Sequence, residues 1–266
     1  MDTGNALIRI GYAPCMSVRE SLFGDVVTVG GPTDPDTRDV TKALQADQNK
    51  TVVFENLNGG KAAGNLFSTR EKMAAALNIG KEDIVQHVMQ AIESPKACEI
   101  VEDPEFRQVP HEVDLMSLPI PQYFPEDGGR YITSGVIVTE FEGKKNVSFH
   151  RMMIMDGKHI AVRLVPRHLF TLYNMAKEQG KELKVSICVG ARAEVLIAAA
   201  TPLDFGQDEL EVASAMCVRG HGTPLKVGRC DNGILVPADT DYVLEGRITL
   251  NETAEGPFVD ITGTYD

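Results

Sequence analysis

Three short stretches of this chain carry side chains whose types and spacing can do chemistry. In Asn146-Val-Ser-Phe-His-Arg151, strand alternation puts Asn146, Ser148 and His150 on one face. An amide, a hydroxyl and an imidazole in a row suit a phosphate or a metal ion, and equally make a polar edge facing solvent. Arg151 falls on the opposite face and joins them only if the strand bulges or ends there. Val165-Pro-Arg167-His168 reads as a helix start, where unpaired N–H groups and the helix dipole favour an anion. Arg167 adds a positive charge, and His168 is placed either to hold a metal or phosphate or to face water. Glu255-Gly-Pro-Phe-Val-Asp260 sets two carboxylates either side of a Gly-Pro turn. Held close, such acids push one pKa upward, which serves proton transfer near neutral pH; held apart, they are two solvated acids. No G-x-S-x-G, Walker loop or H-E-x-x-H occurs, so nucleophilic hydrolysis, P-loop and zincin chemistry have no footing.

Positioning these groups requires particular elements. The first hundred residues alternate helix and strand patterns: a helix over 36–46, a short buried strand over 51–55 and a helix over 82–93 stopped by Pro95. Between them, Ser68-Thr-Arg-Glu71 reads as a capping box opening a helix that runs to Gly80. Residues 104–130 are rich in proline and glycine yet carry Leu, Ile and Tyr, which predicts an irregular segment lying against the protein. Beyond it, strands are expected over 134–141 and 146–155 around a Gly143 turn, with Asp156-Gly157 turning into a returning strand over 159–164. Pro166 is expected in the first helical turn, with the helix ending near Gly180. A strand over 183–189, helices over 191–200 and 208–216, and strands at 235–236 and 242–250 follow. The pattern predicts an α+β protein: an α/β N-terminal region over 1–110 and a small barrel carrying helices over 111–266.

Composition narrows the function classes. With 43% hydrophobic and 24% charged residues the chain is globular. The formal net charge of -12 argues against nucleic-acid or anionic-membrane partners. No apolar run reaches the roughly 20 residues of a membrane span, and no signal peptide opens the chain, so a cytoplasmic location is expected. The cysteines at 15, 98, 188, 217 and 230 form no C-x-x-C pair and read as reduced core thiols.

Taken in order, DLMSLPIPQYFPEDGGRYIT, NVSFHRM, VPRHL, VPADTDYVLEG and EGPFVDITGTYD resemble the UbiD family of reversible decarboxylases over nearly the whole chain. The resemblance implies a split β-barrel that binds prenylated FMN, with the α/β region packed alongside. It implies addition or removal of CO2 on unsaturated or aromatic acids, and a flavin prenyltransferase as supplier of the cofactor. By motif, Arg151 matches the family's arginine, Glu255 its first acid and Asp260 its second. Their implied roles are carboxylate anchor, proton donor and acceptor, and electrostatic tuner. Asn146, Ser148, Phe149, His150, Arg151, Arg167, His168 and Lys226 are the implied cofactor contacts.

Asn146 and His168 match two ligands of the divalent metal, Mn or Mg, that bridges to the flavin phosphate in this family. The third ligand is expected as a Glu just upstream of the strand leading to VPA. Residues 223–230 contain no acid, and Lys226 stands there instead. A protonated lysine cannot ligate a hard cation but can bind the phosphate directly. The family continues past TGTYD into a C-terminal domain that this sequence lacks, so the expectation is a homo-oligomer or a second subunit that completes the site. The substrate classes implied are a hydroxybenzoate-type acid or a mevalonate-derived phosphate acid. A non-catalytic assembly subunit is the alternative from another class, and it gives no reason for the Arg151, Glu255 and Asp260 set. A plain FMN oxidoreductase gives none either.

Overall fold

A computed structural model describes residues 22–107, 112–259 and 263–265. The N-terminal unit is a βαβ arrangement with an added hairpin. β1 (Val26–Thr33) runs parallel to β2 (Thr51–Leu57), with α1 (Asp39–Ala46) between them, and β3 (Gly60–Gly64) pairs antiparallel to β2. The β2–β3 turn uses Asn58 and Gly59, both at positive φ, which suits the twist of a tight hairpin. Val40, Val52, Phe54 and Leu57 form its small core.

α2 (Arg70–Ala76) starts one residue later than the capping-box reading: the Thr69 hydroxyl, not Ser68, accepts the N–H of Lys72 at 3.2 Å. The helix stops at Leu77 because Asn78 takes the left-handed conformation, ahead of Gly80. α3 (Ile84–Glu93) ends before Pro95 as expected, and β4 (Glu99–Val101) follows.

Between β4 and residue 130 the described residues hold two 3-10 turns and otherwise irregular chain, which lies against the N-terminal unit. Arg130 forks onto Asp36 at 2.6 and 2.8 Å, and the Thr41 hydroxyl donates to the Tyr123 carbonyl at 2.6 Å.

The second half is built from sheets that exchange the chain. β5 (Tyr131–Ile132) leads to β6 (Val136–Phe141), which turns through Glu142 and Gly143, both left-handed, into β7 (Lys144–Phe149). The single strand expected over 146–155 is broken at His150–Arg151. β7 belongs to a four-stranded antiparallel sheet, whereas β8 (Met152–Ile154) pairs with β5 and with β9 (Ile160–Val162) in another. α4 (His168–Glu178) begins after Pro166: Arg167 is the extended residue at its N-cap, so the proline precedes the helix instead of opening it.

β10 (Leu183–Val189), α5 (Ala193–Ala200), α6 (Glu209–His221), β11 (Lys226–Arg229), β12 (Leu235–Pro237) and β13 (Tyr242–Ile248) complete the order. The main sheet runs β13-β10-β6-β7, and a third sheet pairs β11 with β12 and, in parallel, with β4. One face of the main sheet packs on α5 and α6 through Val136, Val138, Val147 and Met216. The other packs on α4 and the irregular segment through Ile137, Leu172, Val185 and Leu118. The fold is α+β, with no closed barrel among the described residues. No described helix is long and apolar enough to cross a membrane.

Candidate active site

The corner between β7 and β8 creates the candidate site. Because β7 ends at Phe149, Arg151 is freed from strict alternation and turns toward the irregular stretch after β13. There its guanidinium meets Glu255 in a two-pronged fork, Nε to Oε1 at 2.7 Å and Nη2 to Oε2 at 3.1 Å. The two side chains are only 17% and 13% exposed, so the pair is shielded from bulk water. A fork of this kind fixes orientation as well as charge. The Arg151 guanidinium also lies 5.2 Å from the centre of the Phe258 ring, a cation–π contact. Asp260, the second acid of the motif, lies outside the described residues.

Asn146, Ser148 and His150 share one face, as alternation requires. The Ser148 hydroxyl stands 2.9 Å from Asn146 Oδ1 and 3.0 Å from His150 Nε2. His150 Nδ1 is 3.1 Å from the Arg163 carbonyl, which can only accept, so the Nδ1 carries the proton. Burial holds the His150 pKa below its ordinary value, against the pull of that carbonyl, so the ring is neutral near pH 7. Its Nε2 is then an acceptor. Ser148 has one hydrogen for two acceptors, Nε2 and Asn146 Oδ1. One of those two lone pairs is available to a cation or to a ligand donor.

An acid that sequence reasoning missed completes this row. Glu209, the first residue of α6, is 3% exposed and receives Asn146 Nδ2 at 3.0 Å and the Val147 N–H at 3.0 Å. Burial raises its pKa to about 7 despite these donors. The start of α6 is pinned to β7 by the neighbouring residues too: Lys145 Nζ bridges to Asp208 at 2.6 Å, and Asp208 caps the helix through the Leu210 N–H. The 223–230 stretch holds no acid, as its sequence shows, and the carboxylate that stands beside Asn146 is Glu209. The acid comes from the helix start, ahead of the 223–230 stretch where it was sought.

The remaining expected contacts lie on other elements. His168 is half-buried at the first position of α4, its ring 5.4 Å from that of Phe205. Arg167 is exposed at the N-cap. Lys226 starts β11, paired beside Glu99 of β4. Among the described residues no group of three or more His, Cys, Asp or Glu side chains is placed to hold a metal. Phe149 and Val165, which flank the His150–Arg163 contact in sequence, are 38% and 39% exposed.

A cavity of about 510 Å³ lies elsewhere, between the N-terminal unit and the main sheet, lined by apolar groups such as Leu44, Phe54, Ile120 and Leu244. Neither Arg151 nor Glu255 lines it. Size alone does not make this cavity a reaction chamber. Tyr131 connects the two places, since it lines the cavity and its hydroxyl donates to the Gly256 carbonyl at 3.0 Å.

Residues 71–266 match the 3-octaprenyl-4-hydroxybenzoate carboxy-lyase Rift-related domain, and residues 23–92 match the N-terminal domain of the same enzymes. The chain is 39% identical over 217 residues to the anhydromevalonate phosphate decarboxylase of Methanosarcina mazei, covering 81% of this chain and 50% of that one. It is 36% identical to the enzyme of the same name from Methanocaldococcus jannaschii, covering 85% and 53%. An evolved dimeric form of the UbiD-class enzyme HmfF from Pelotomaculum thermopropionicum, solved with prFMN, superposes with a TM-score of 0.85 at 29% identity. That superposition covers 94% of this chain and 61% of that one. Vanillic acid decarboxylase of Sedimentibacter hydroxybenzoicus in its open form gives 0.80 at 25% identity, covering 94% and 58%. The chain spans about half the length of the curated relatives it matches. Fold, motifs and relatives converge: the chain belongs to the UbiD family of carboxy-lyases.

Proposed function

We propose that this chain is the flavin-binding part of a prenyl-FMN-dependent decarboxylase acting on an unsaturated carboxylic acid that bears a phosphate. The observation that carries the reading is the shielded Arg151–Glu255 fork one residue from the His150 row. An arginine held this way can take one face of a substrate carboxylate while keeping its acid partner in place. Glu255 then moves the proton: it protonates the carbon that loses CO2, and takes a proton there in the reverse direction. Asp260 is the proposed tuner of that pair. The relatives named anhydromevalonate phosphate decarboxylase favour a phosphate-bearing acid over a hydroxybenzoate.

The residues present suit the cofactor. The lone pair left over between Ser148, His150 and Asn146 is a polar anchor, and Phe149 and Val165 add exposed apolar side chains at the end of β7 and ahead of α4. In this reading Asn146, Ser148, Phe149, His150 and Arg151 hold prenylated FMN, with Arg167, His168 and Lys226 toward its phosphate. The cofactor, when bound, supplies the electron sink for carbon–carbon cleavage. A divalent Mn or Mg would be held by Asn146 Oδ1, the Glu209 carboxylate and His168, all donors suited to such a cation. The four-stranded sheet and the β5–β8–β9 sheet form the two parts of the split barrel, and a flavin prenyltransferase supplies the cofactor. A second copy or a second subunit closes the site.

The test is release of CO2 from an unsaturated phosphate acid by flavin-loaded protein, compared with Glu255→Gln. Release by the first and its loss in the second support the reading; equal rates in both refute the role of Glu255.

A further inference from the structure

We infer that Tyr131 is a positioning residue that sets the geometry of the Arg151–Glu255 pair from both sides. The inference rests on the reading of that pair given above. Residues 251–258 have no regular structure, so nothing in their own backbone fixes Glu255. The Tyr131 hydroxyl donates to the carbonyl of Gly256 at 3.0 Å and reaches that of Pro257 at 3.3 Å, gripping the chain directly after the acid. Its ring, fully buried, packs 4.6 Å from that of Phe258, and the Arg151 guanidinium rests on the same Phe258 ring. Arginine, phenylalanine and tyrosine therefore form a chain of ring contacts that starts from Tyr131.

The same side chain is fixed to the arginine through the sheet. Tyr131 is the register partner of Met153, two residues after Arg151, and the Met153 sulfur receives the Gly256 N–H at 3.4 Å. The irregular segment adds a floor: the Gly128 N–H donates to the Pro257 carbonyl at 2.8 Å, and Asp127 Oδ1 accepts the Val259 N–H at 3.4 Å. A Cβ on Gly128 would stand 2.6 Å from Gly256 Cα and 2.8 Å from Met153 Sδ, so the two backbones touch as closely as they can. Packing alone would be served by phenylalanine at 131. The hydroxyl is what ties the acid segment down.

The experiment compares flavin-loaded wild type, Tyr131→Phe, Gly128→Ala and Glu255→Gln, with Ser214→Ala as a control. Ser214 is a buried hydroxyl bonded to the Ala97 carbonyl, remote in sequence from the pair. Tyr131→Phe should retain flavin and speed amide exchange over 251–258 by roughly five- to tenfold, the range expected for one lost hydrogen bond. Its kcat should fall by about tenfold with KM within about twofold. Gly128→Ala should act in the same direction by pushing the segment, and Ser214→Ala should leave both readouts at wild-type values. Unchanged exchange and kcat in Tyr131→Phe and Gly128→Ala, beside an inactive Glu255→Gln, overturn this inference and spare the role of Glu255. Full activity in Glu255→Gln removes that role and the inference with it.

Discussion

The side-chain amide of Asn146 and the carboxylate of Glu209 meet at 3.0 Å, a strand residue and a helix-start residue 63 positions apart. The contact leaves a buried acid whose neighbours are an amide and a backbone N–H rather than a cation. Burial is the larger influence and raises its pKa from 4.5 to about 7. A folded-state pKa above the unfolded one means that ionising Glu209 works against folding. Without bound metal, its contribution is best below pH 4.5 and is lost progressively as pH rises to about 7. The loss amounts to roughly 3 kcal/mol. The difference in unfolding free energy between wild type and Glu209→Gln should follow that curve, measured by denaturant titration from pH 4 to 8. A flat difference would show that Glu209 does not titrate in this window.

The same acid makes metal binding measurable without turnover. Mn or Mg at neutral pH should raise the melting temperature of wild type by several degrees, since binding to the native state alone stabilises it. Glu209→Gln and Asn146→Ala should lose most of that rise. An equal rise in all three would place the ion elsewhere.

Arg151→Lys keeps the charge and removes the fork. An ammonium cannot span both Glu255 oxygens at 2.7 and 3.1 Å. Turnover should drop about 10- to 100-fold and stability by about 1–2 kcal/mol, as judged by steady-state rates and urea unfolding. Wild-type rates in Arg151→Lys would show that charge alone suffices.

A second buried glutamate should respond to pH in the opposite sense. Glu194 is 1% exposed, and His221 and Arg192 bind its two oxygens at 2.8 to 3.2 Å. Burial pushes its pKa up, but these partners more than offset it and hold the group below its ordinary 4.5. Its contribution is therefore full above pH 4.5 and lost as pH falls through the lowered folded value. Glu194→Ala should cost about 3–5 kcal/mol at pH 7, and less in acid. A cost that stays constant down to pH 3 would contradict this.

Much of the site's local geometry was legible because it is local. Alternation alone put Asn146, Ser148 and His150 on one face, and the condition that Arg151 joins the site only where the strand ends is what the β7–β8 corner supplies. Glu209 was not legible: nothing near it in sequence signals a partner 63 residues away, and an acid at a helix start is ordinary capping chemistry. The parallel pairing of β4 with β11 escaped for the same reason, since strands this short carry little periodicity. Ser68 and Thr69 both qualify as caps, and only the bond to Lys72 decides between them. Pro166 fits the first turn by propensity, yet the extended Arg167 after it starts the helix one residue further on.

The most direct measurement is the cofactor the protein retains after co-expression with a flavin prenyltransferase, read by absorbance and denaturing mass. The wild-type chain should carry prenylated FMN, and a Ser148→Ala, His150→Ala double variant should lose it, while Glu255→Gln keeps it. A wild-type chain that emerges without flavin, or a double variant loaded as fully as wild type, would contradict the assignment of this site.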